Sequence, residues 1–186
     1  MNRIEAYELL TEWTKSEGLV NHGLSVEAAM RAYARRFGED EERWGLTGLL
    51  HDFDYERHPT LDLHPQEGAK VLRERGVDED VIYAILTHAD FLGLPRKSLM
   101  DKTLAAVDEL CGFVIAVALV RPSKSVLDLE VSSVKKKMKD KAFARAVRRE
   151  DITQGAEALD ISLDEHILIV IKALQGIAPR LGLAGQ

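Results

Sequence analysis

The feature that most constrains the fold is the stretch from Leu104 to Val120. Its residues Leu104, Val107, Leu110 and Val114 lead a stripe that becomes apolar on nearly every side. A helix with no polar face belongs at the centre of a structure, so the rest of the chain must be arranged to cover it. It is too short to cross a bilayer, since its longest uninterrupted apolar run, Leu110 to Val120, is flanked by Glu109 and Arg121. One residue in this setting is anomalous. Asp108 follows Val107 directly, and an ionised carboxylate on a central helix needs a partner to offset its desolvation.

The remaining segments read as amphipathic helices. Ile4, Tyr7, Leu10 and Trp13 recur at helical spacing, and Gly18 ends that element. A second helix is expected from about Val20 to Phe37, stopped by Gly38, with His22 in its first turn. Acidic residues Glu39 to Glu42 favour a third helix start, and this helix delivers His51 and Asp52 at its end. A loop over 53–63 holds Asp54, Arg57, His58 and Pro59. Pro65 and Gly76 bracket a short helix just after His64. Asp78 is expected to cap the next one, which ends near His88 before Gly93 and Pro95. Beyond the turn-like Arg121-Pro122-Ser123-Lys124-Ser125 lies a basic stretch, Lys135 to Arg149. A short helix then spans about Glu150 to Leu159, and the capping box Ser162-x-x-Glu165 opens the last helix. No strand alternation, repeat or linker stands out. The expected fold is all-α, a compact orthogonal bundle in one domain over 1–186, with a site core near 20–112 and helices over 125–180 packed on it.

With 186 residues and 46% hydrophobic content, the chain can bury one substantial core. Its formal net charge of -6 offers no global attraction to extended nucleic acid or to an anionic membrane. The lone Cys111, in an apolar stretch, excludes an intrachain disulfide and a thiolate zinc site. The charged N-terminus lacks an apolar leader segment, so the expected location is the cytoplasm.

Residues able to bind a hard or borderline cation stand at predicted helix ends: His22, His51, Asp52, His64, His88 and Asp108. Neutral imidazoles with carboxylates suit Mn, Fe, Ni, Co or Zn, with Mg admissible. In this order, a histidine, an adjacent His-Asp pair, two further histidines and a distal aspartate, the chain resembles the HD-domain superfamily of metal-dependent phosphohydrolases, in its HDIG-like form. The resemblance covers roughly Val20 to Gly112. It implies a primary ion on His22, His51, Asp52 and Asp108. It also implies a second ion on His64 and His88, bridged by Asp52. There are departures. Where many relatives read His-Asp-Ile-Gly-Lys, this chain has His51-Asp52-Phe53-Asp54-Tyr55, so a lysine beside the substrate is missing. The Gly-Tyr-Pro signature of the cyclic-dinucleotide branch is absent as well.

The function this resemblance implies is hydrolysis of a phosphate ester or anhydride in a nucleotide or small phosphorylated metabolite, with one or two divalent ions. Asp52 and Asp54 are the expected catalytic carboxylates, with Asp54 or another nearby acid orienting water where a single ion is bound. Arg121 and Lys124, just past the helix that carries Asp108, are the expected phosphate contacts, with Lys102 a weaker one. The basic stretch from Lys135 onward is assigned no catalytic role. Two other classes fit the same donors: a di-iron oxygenase of the same fold, and a non-catalytic module that binds metal and nucleotide. The sequence leaves room for a homo-oligomer and does not fix the substrate.

Overall fold

The computed structural model describes residues 1–185. Among them are nine α-helices and no strand, the all-α class expected from the stripes. They are α1 (Arg3–Trp13), α2 (Glu17–Phe37), α3 (Glu41–Leu50), α4 (Gln66–Glu74), α5 (Glu79–His88), α6 (Leu99–Leu119), α7 (Val131–Met138), α8 (Arg149–Ala158) and α9 (Leu163–Gly176). A 3-10 turn, Asp90–Leu92, follows α5.

Helix α6 takes the central position its composition requires. It packs on α2, α3, α5, α7, α8 and α9, and Leu104, Val107, Leu110, Phe113 and Val114 are fully buried. Each such side chain contributes about 1.5–3 kcal/mol relative to exposure. The helix starts at Ser98, whose hydroxyl accepts from Asp101 N–H while the Asp101 carboxylate accepts from Ser98 N–H. Its apolarity outlasts the core, for Leu119 and Val120 at the far end are exposed. Buried apolar residues from Ala6 in α1 to Leu183 join α6 in a continuous cluster.

The pairing that places the site is α2 against α3. A Cβ at Gly48 would lie 2.8 Å from Val26 O and 2.9 Å from Glu27 N, so only glycine lets the last turn of α3 approach α2 this closely. That approach brings the end of α3, with His51 and Asp52, against the second turn of α2. His22 sits in that turn rather than the first, because α2 begins at Glu17, earlier than apolar periodicity alone indicates. Pro65 is the N-cap residue of α4 rather than its first helical residue, and Asp78 stands at the N-cap of α5 without a side-chain capping bond. The basic stretch divides: Lys135, Lys136 and Lys137 end α7, and Arg149 opens α8. No helix of the described residues is long and apolar enough to cross a membrane.

Candidate metal centre

Six side chains from five elements converge where α2, α3, α5 and α6 meet. His22 comes from α2, His51 and Asp52 from the end of α3, His64 from the loop before α4, His88 from the last turn of α5 and Asp108 from α6. They form two groups, His22 with His51 and Asp108, and Asp52 with His64 and His88; within each group one donor atom per residue lies within 4.8 Å of the others.

In the first group, His22 Nε2 lies 3.2 Å from His51 Nε2 and 2.9 Å from Asp108 Oδ1, while His51 Nε2 is 3.4 Å from the same oxygen. In the second, Asp52 Oδ1 lies 3.2 Å from His64 Nε2 and 3.3 Å from His88 Nε2. The other oxygen of Asp52, Oδ2, faces the first group, 3.5 Å from His51 Nε2 and 4.0 Å from His22 Nε2. Asp52 therefore presents one oxygen to each group. Donors held about 2.0–2.2 Å from a shared ion at near-octahedral or tetrahedral angles lie roughly 2.9–3.5 Å from one another. Most of these separations match that spacing.

The far side of each ring explains why Nε2 is the atom presented. His51 Nδ1 donates to Gly48 O at 2.8 Å, His88 Nδ1 donates to Ile85 O, and His64 Nδ1 donates to Asp54 Oδ1 at 2.8 Å. A neutral imidazole that gives its Nδ1 proton away has a bare lone pair at Nε2. Three such lone pairs aimed at carboxylate oxygens repel one another unless a cation or a proton lies between. The donor set thus fits a divalent ion, and in the ion-free protein protons take its place. Burial works against charge on His64, yet its bonds to Asp52 and Asp54 raise it to about 9. The same contest, burial against the Asp52 and Asp108 carboxylates, leaves His51 and His88 raised. Burial also pushes the two aspartates up, but the surrounding imidazoles outweigh it, and both carboxyls stay well below their usual range.

Asp54 has a different place from the one expected. It is buried, and its two oxygens are taken by His64 Nδ1 and by Gly68 N–H at 2.9 Å. A Cβ at Gly68 would come within 2.7 Å of Asp54 Cγ, so α4 starts directly on this carboxylate. Asp54 therefore holds the His64 ring rather than a reacting water.

Arg121 and Lys124 also require correction. Arg121 lies more than three turns beyond Asp108, roughly 20 Å along the axis of α6. Its guanidinium is bound to the Asp128 carboxylate at 2.9 Å and to Asp128 O at 3.1 Å. Lys124, at φ 46, belongs to the turn that follows, and neither it nor Arg121 lines the cavity that opens beside the centre. Chain proximity to Asp108 was misleading because a helix carries its end away from its middle.

The cations near the centre are others. A cavity of about 410 Å3 opens beside it, and His88 and Asp108, one residue from each group, form part of its wall. Arg96, Lys102 and Arg148 also line it, with Asp90, Glu109 and Asp151. Asp90 ties Arg96 to Arg148, and Arg148 also reaches Asp151 at 3.4 Å. Lys102 forms no ion pair among the described residues. It stands about 9 Å before Asp108 along α6, and both residues line this cavity. Burial, reinforced by Asp108, raises Glu109 to about 7. Sequence reasoning missed Arg96 and Arg148. Arg96 follows a proline in an aperiodic loop, and Arg148 is one of many cations in its stretch, so neither carries a local signal.

The other two histidines stand apart from the site. His58 lies beside Trp13, ring centroids 6.0 Å apart. His166 is buried between Tyr33 Oη, 2.6 Å from its Nδ1, and Ala106 O, 3.0 Å from its Nε2. Cys111 is buried, and burial raises its thiol pKa, in keeping with an inert packing role.

Comparison with known proteins agrees with this geometry. The family model described as the HD domain matches residues 19–151. Ribonuclease Y of Oleidesulfovibrio alaskensis is 31% identical over 98 residues, covering 52% of this chain and 18% of that protein. The chain thus spans less than a fifth of that relative's length. No solved structure matches the chain significantly.

Proposed function

This chain belongs to the HD-domain family, and from that premise we propose that it is a metal-dependent phosphohydrolase acting on a phosphate ester or anhydride of a nucleotide or small phosphorylated metabolite. The observation that carries the reading is the placement of Asp52, with Oδ2 toward His51 and Oδ1 toward His64 and His88, beside a cavity whose wall includes Arg96, Lys102 and Arg148. His22, His51 and Asp108 would hold one divalent ion and His64 and His88 a second, with Asp52 shared. When bound, such ions polarise a phosphoryl oxygen and lower the pKa of water toward neutrality.

The chain's own residues supply the rest. Lys102, without an ion-pair partner among the described residues and on the wall that carries Asp108, offers its Nζ to a phosphate oxygen as a point charge. Arg96 and Arg148, held by Asp90, add fixed positive charge across the cavity. Asp54 keeps the His64 ring oriented with its Nδ1 proton engaged and Nε2 directed inward. Ala105, also in the wall, leaves room between Lys102 and Asp108 for the phosphate group. Lys102, a cationic side chain in the cavity wall with no carboxylate partner among the described residues, favours an anionic substrate over dioxygen, which is why hydrolysis ranks above a di-iron oxygenase.

The test is turnover on a panel of nucleotides, sugar phosphates and a short RNA with Mn, Co, Ni or Mg added, compared with Asp52→Asn. Phosphate or nucleotide release by the wild type, lost in the variant, is the expected result. Metal uptake with no release from any substrate would favour the non-catalytic module, and metal-dependent oxygen consumption would favour the oxygenase.

A further inference from the structure

A second concave site lies away from the metal centre and shares no residue with it. It is a groove of about 350 Å3 between α2 and α9, with Arg3 of α1 at its edge. In a chain of net charge -6, five cations line it, Arg3, Arg31, Arg35, Lys172 and Arg180, against a single acid, Glu27. That acid is buried and already engaged. Its Oε1 accepts from Arg3 Nε at 2.6 Å and from Arg31 Nε at 3.0 Å, and its Oε2 accepts from Arg3 Nη2 at 2.9 Å. Glu27 therefore fixes two guanidinium groups at the wall before anything binds.

The five cations are not equally available. Arg31 is saturated by Glu27 and Glu42, and Arg35 pairs with Glu41. Lys172 forms no ion pair among the described residues, and Arg180 lies over the Tyr7 ring and donates to its hydroxyl, with no carboxylate partner among the described residues. Two charges are thus free to meet a ligand, in the field of three more that are paired with carboxylates. Between them the lining is apolar, with Leu24 and Ala28 of α2, Ala173 of α9 and Ile177 just past its end. A Cβ on Gly176 would meet no atom within 4 Å, so the groove is open there.

A free phosphate ion would use the cations and leave the apolar lining in water, while a purely apolar ligand would leave two charges unmatched. A small molecule that joins a flat ring system to two phosphates satisfies both, and the volume lies within the range of small-ligand sites. We propose that the α2–α9 groove is a second, non-catalytic site that binds a nucleoside diphosphate, with its phosphates on Lys172 and Arg180 and its base on the apolar lining.

The test is calorimetric titration of ADP, adenosine and pyrophosphate into the full chain with chelator present, so that the outcome does not depend on the metal centre or on phosphohydrolase activity. ADP is expected to bind one site per chain, at least tenfold tighter than adenosine or pyrophosphate. The Lys172→Ala/Arg180→Ala double variant should weaken it at least tenfold. Gly176→Leu, which fills the groove from an open position, should abolish it. Both variants should retain the wild-type circular dichroism and metal-dependent turnover. The proposal is overturned if ADP does not bind, if pyrophosphate binds as tightly as ADP, or if binding survives both variants and is instead weakened by Lys102→Ala.

Discussion

Asp54 Oδ1 accepts the Nδ1 proton of His64 at 2.8 Å, and this bond directs His64 Nε2 to within 3.2 Å of Asp52 Oδ1. A carboxylate that fixes the tautomer of a ligand histidine raises its basicity, and removing such a partner typically lowers metal affinity 10–100-fold. Asp54→Asn should therefore weaken the ion held by His64 and His88 by about that factor while leaving the one at His22 and Asp108 nearly unchanged. Stepwise Mn titration followed by electron paramagnetic resonance checks this. Two undisturbed affinities would remove Asp54 from the site.

Substrate binding should separate Lys102 from the cations farther along the chain. A charge-assisted bond contributes about 1.5–3 kcal/mol, so Lys102→Ala should lower kcat/KM roughly 10- to 100-fold with metal content intact. Arg121→Ala and Lys124→Ala should change kcat/KM less than about twofold, since Arg121 lies roughly 20 Å from Asp108 along the axis of α6 and neither residue lines the cavity beside the centre. Steady-state kinetics of the three variants on one phosphorylated substrate decides between the two placements.

The contrast shows what the sequence could and could not convey. The six residues that converge were readable because their types and order are chemically specific, with His51, Asp52 and His88 at helix ends, His64 just before α4, and Asp108 a lone carboxylate on the central helix. The central helix was readable because no polar face was available to it. The phosphate-facing side was not, because Arg96 and Arg148 reach the cavity only through the packing of the α5–α6 loop and α8 around α6. Asp54 looked like a free acid near a His-Asp pair, and its role depends on Gly68 N–H arriving from fourteen residues away. Helix α7, eight residues long and basic in its last turn, is too short to announce itself by periodicity and owes its place to contacts with α6 and α9.

Loading the centre should release protons. In the ion-free protein His64 is raised to about 9, and His51 and His88 are also raised, each through contact with Asp52 or Asp108 despite burial. The raised His64 stabilises the ion-free fold fully below about pH 6.5, the unfolded value, and that contribution fades as pH rises through its folded value of about 9. An incoming ion displaces the His64 proton, so affinity should increase with pH across this window. Mn addition in weakly buffered solution containing a pH indicator should acidify it near pH 7, and no acidification would contradict protonated histidines at the site.

His166 has the opposite sign. Burial lowers it to about 4, outweighing its bond to Ala106 O, so it stays neutral in the fold with Nε2 donating to that carbonyl and Nδ1 accepting from Tyr33 Oη. Below about pH 6.5 the unfolded chain takes up a proton that the folded chain refuses, and stability falls until about pH 4. At about 1.4 kcal/mol per pH unit the loss is on the order of 3 kcal/mol. Chemical denaturation at several pH values should show this decline, and His166→Gln should flatten it.

The most direct test of the two-group centre is the number of divalent ions retained per chain after Mn loading and desalting, measured by mass spectrometry of the element. Two ions in the wild type and fewer than one in Asp52→Ala is the result expected when a single carboxylate serves both groups. A wild type that retains none, or an Asp52→Ala variant that keeps two, would contradict it.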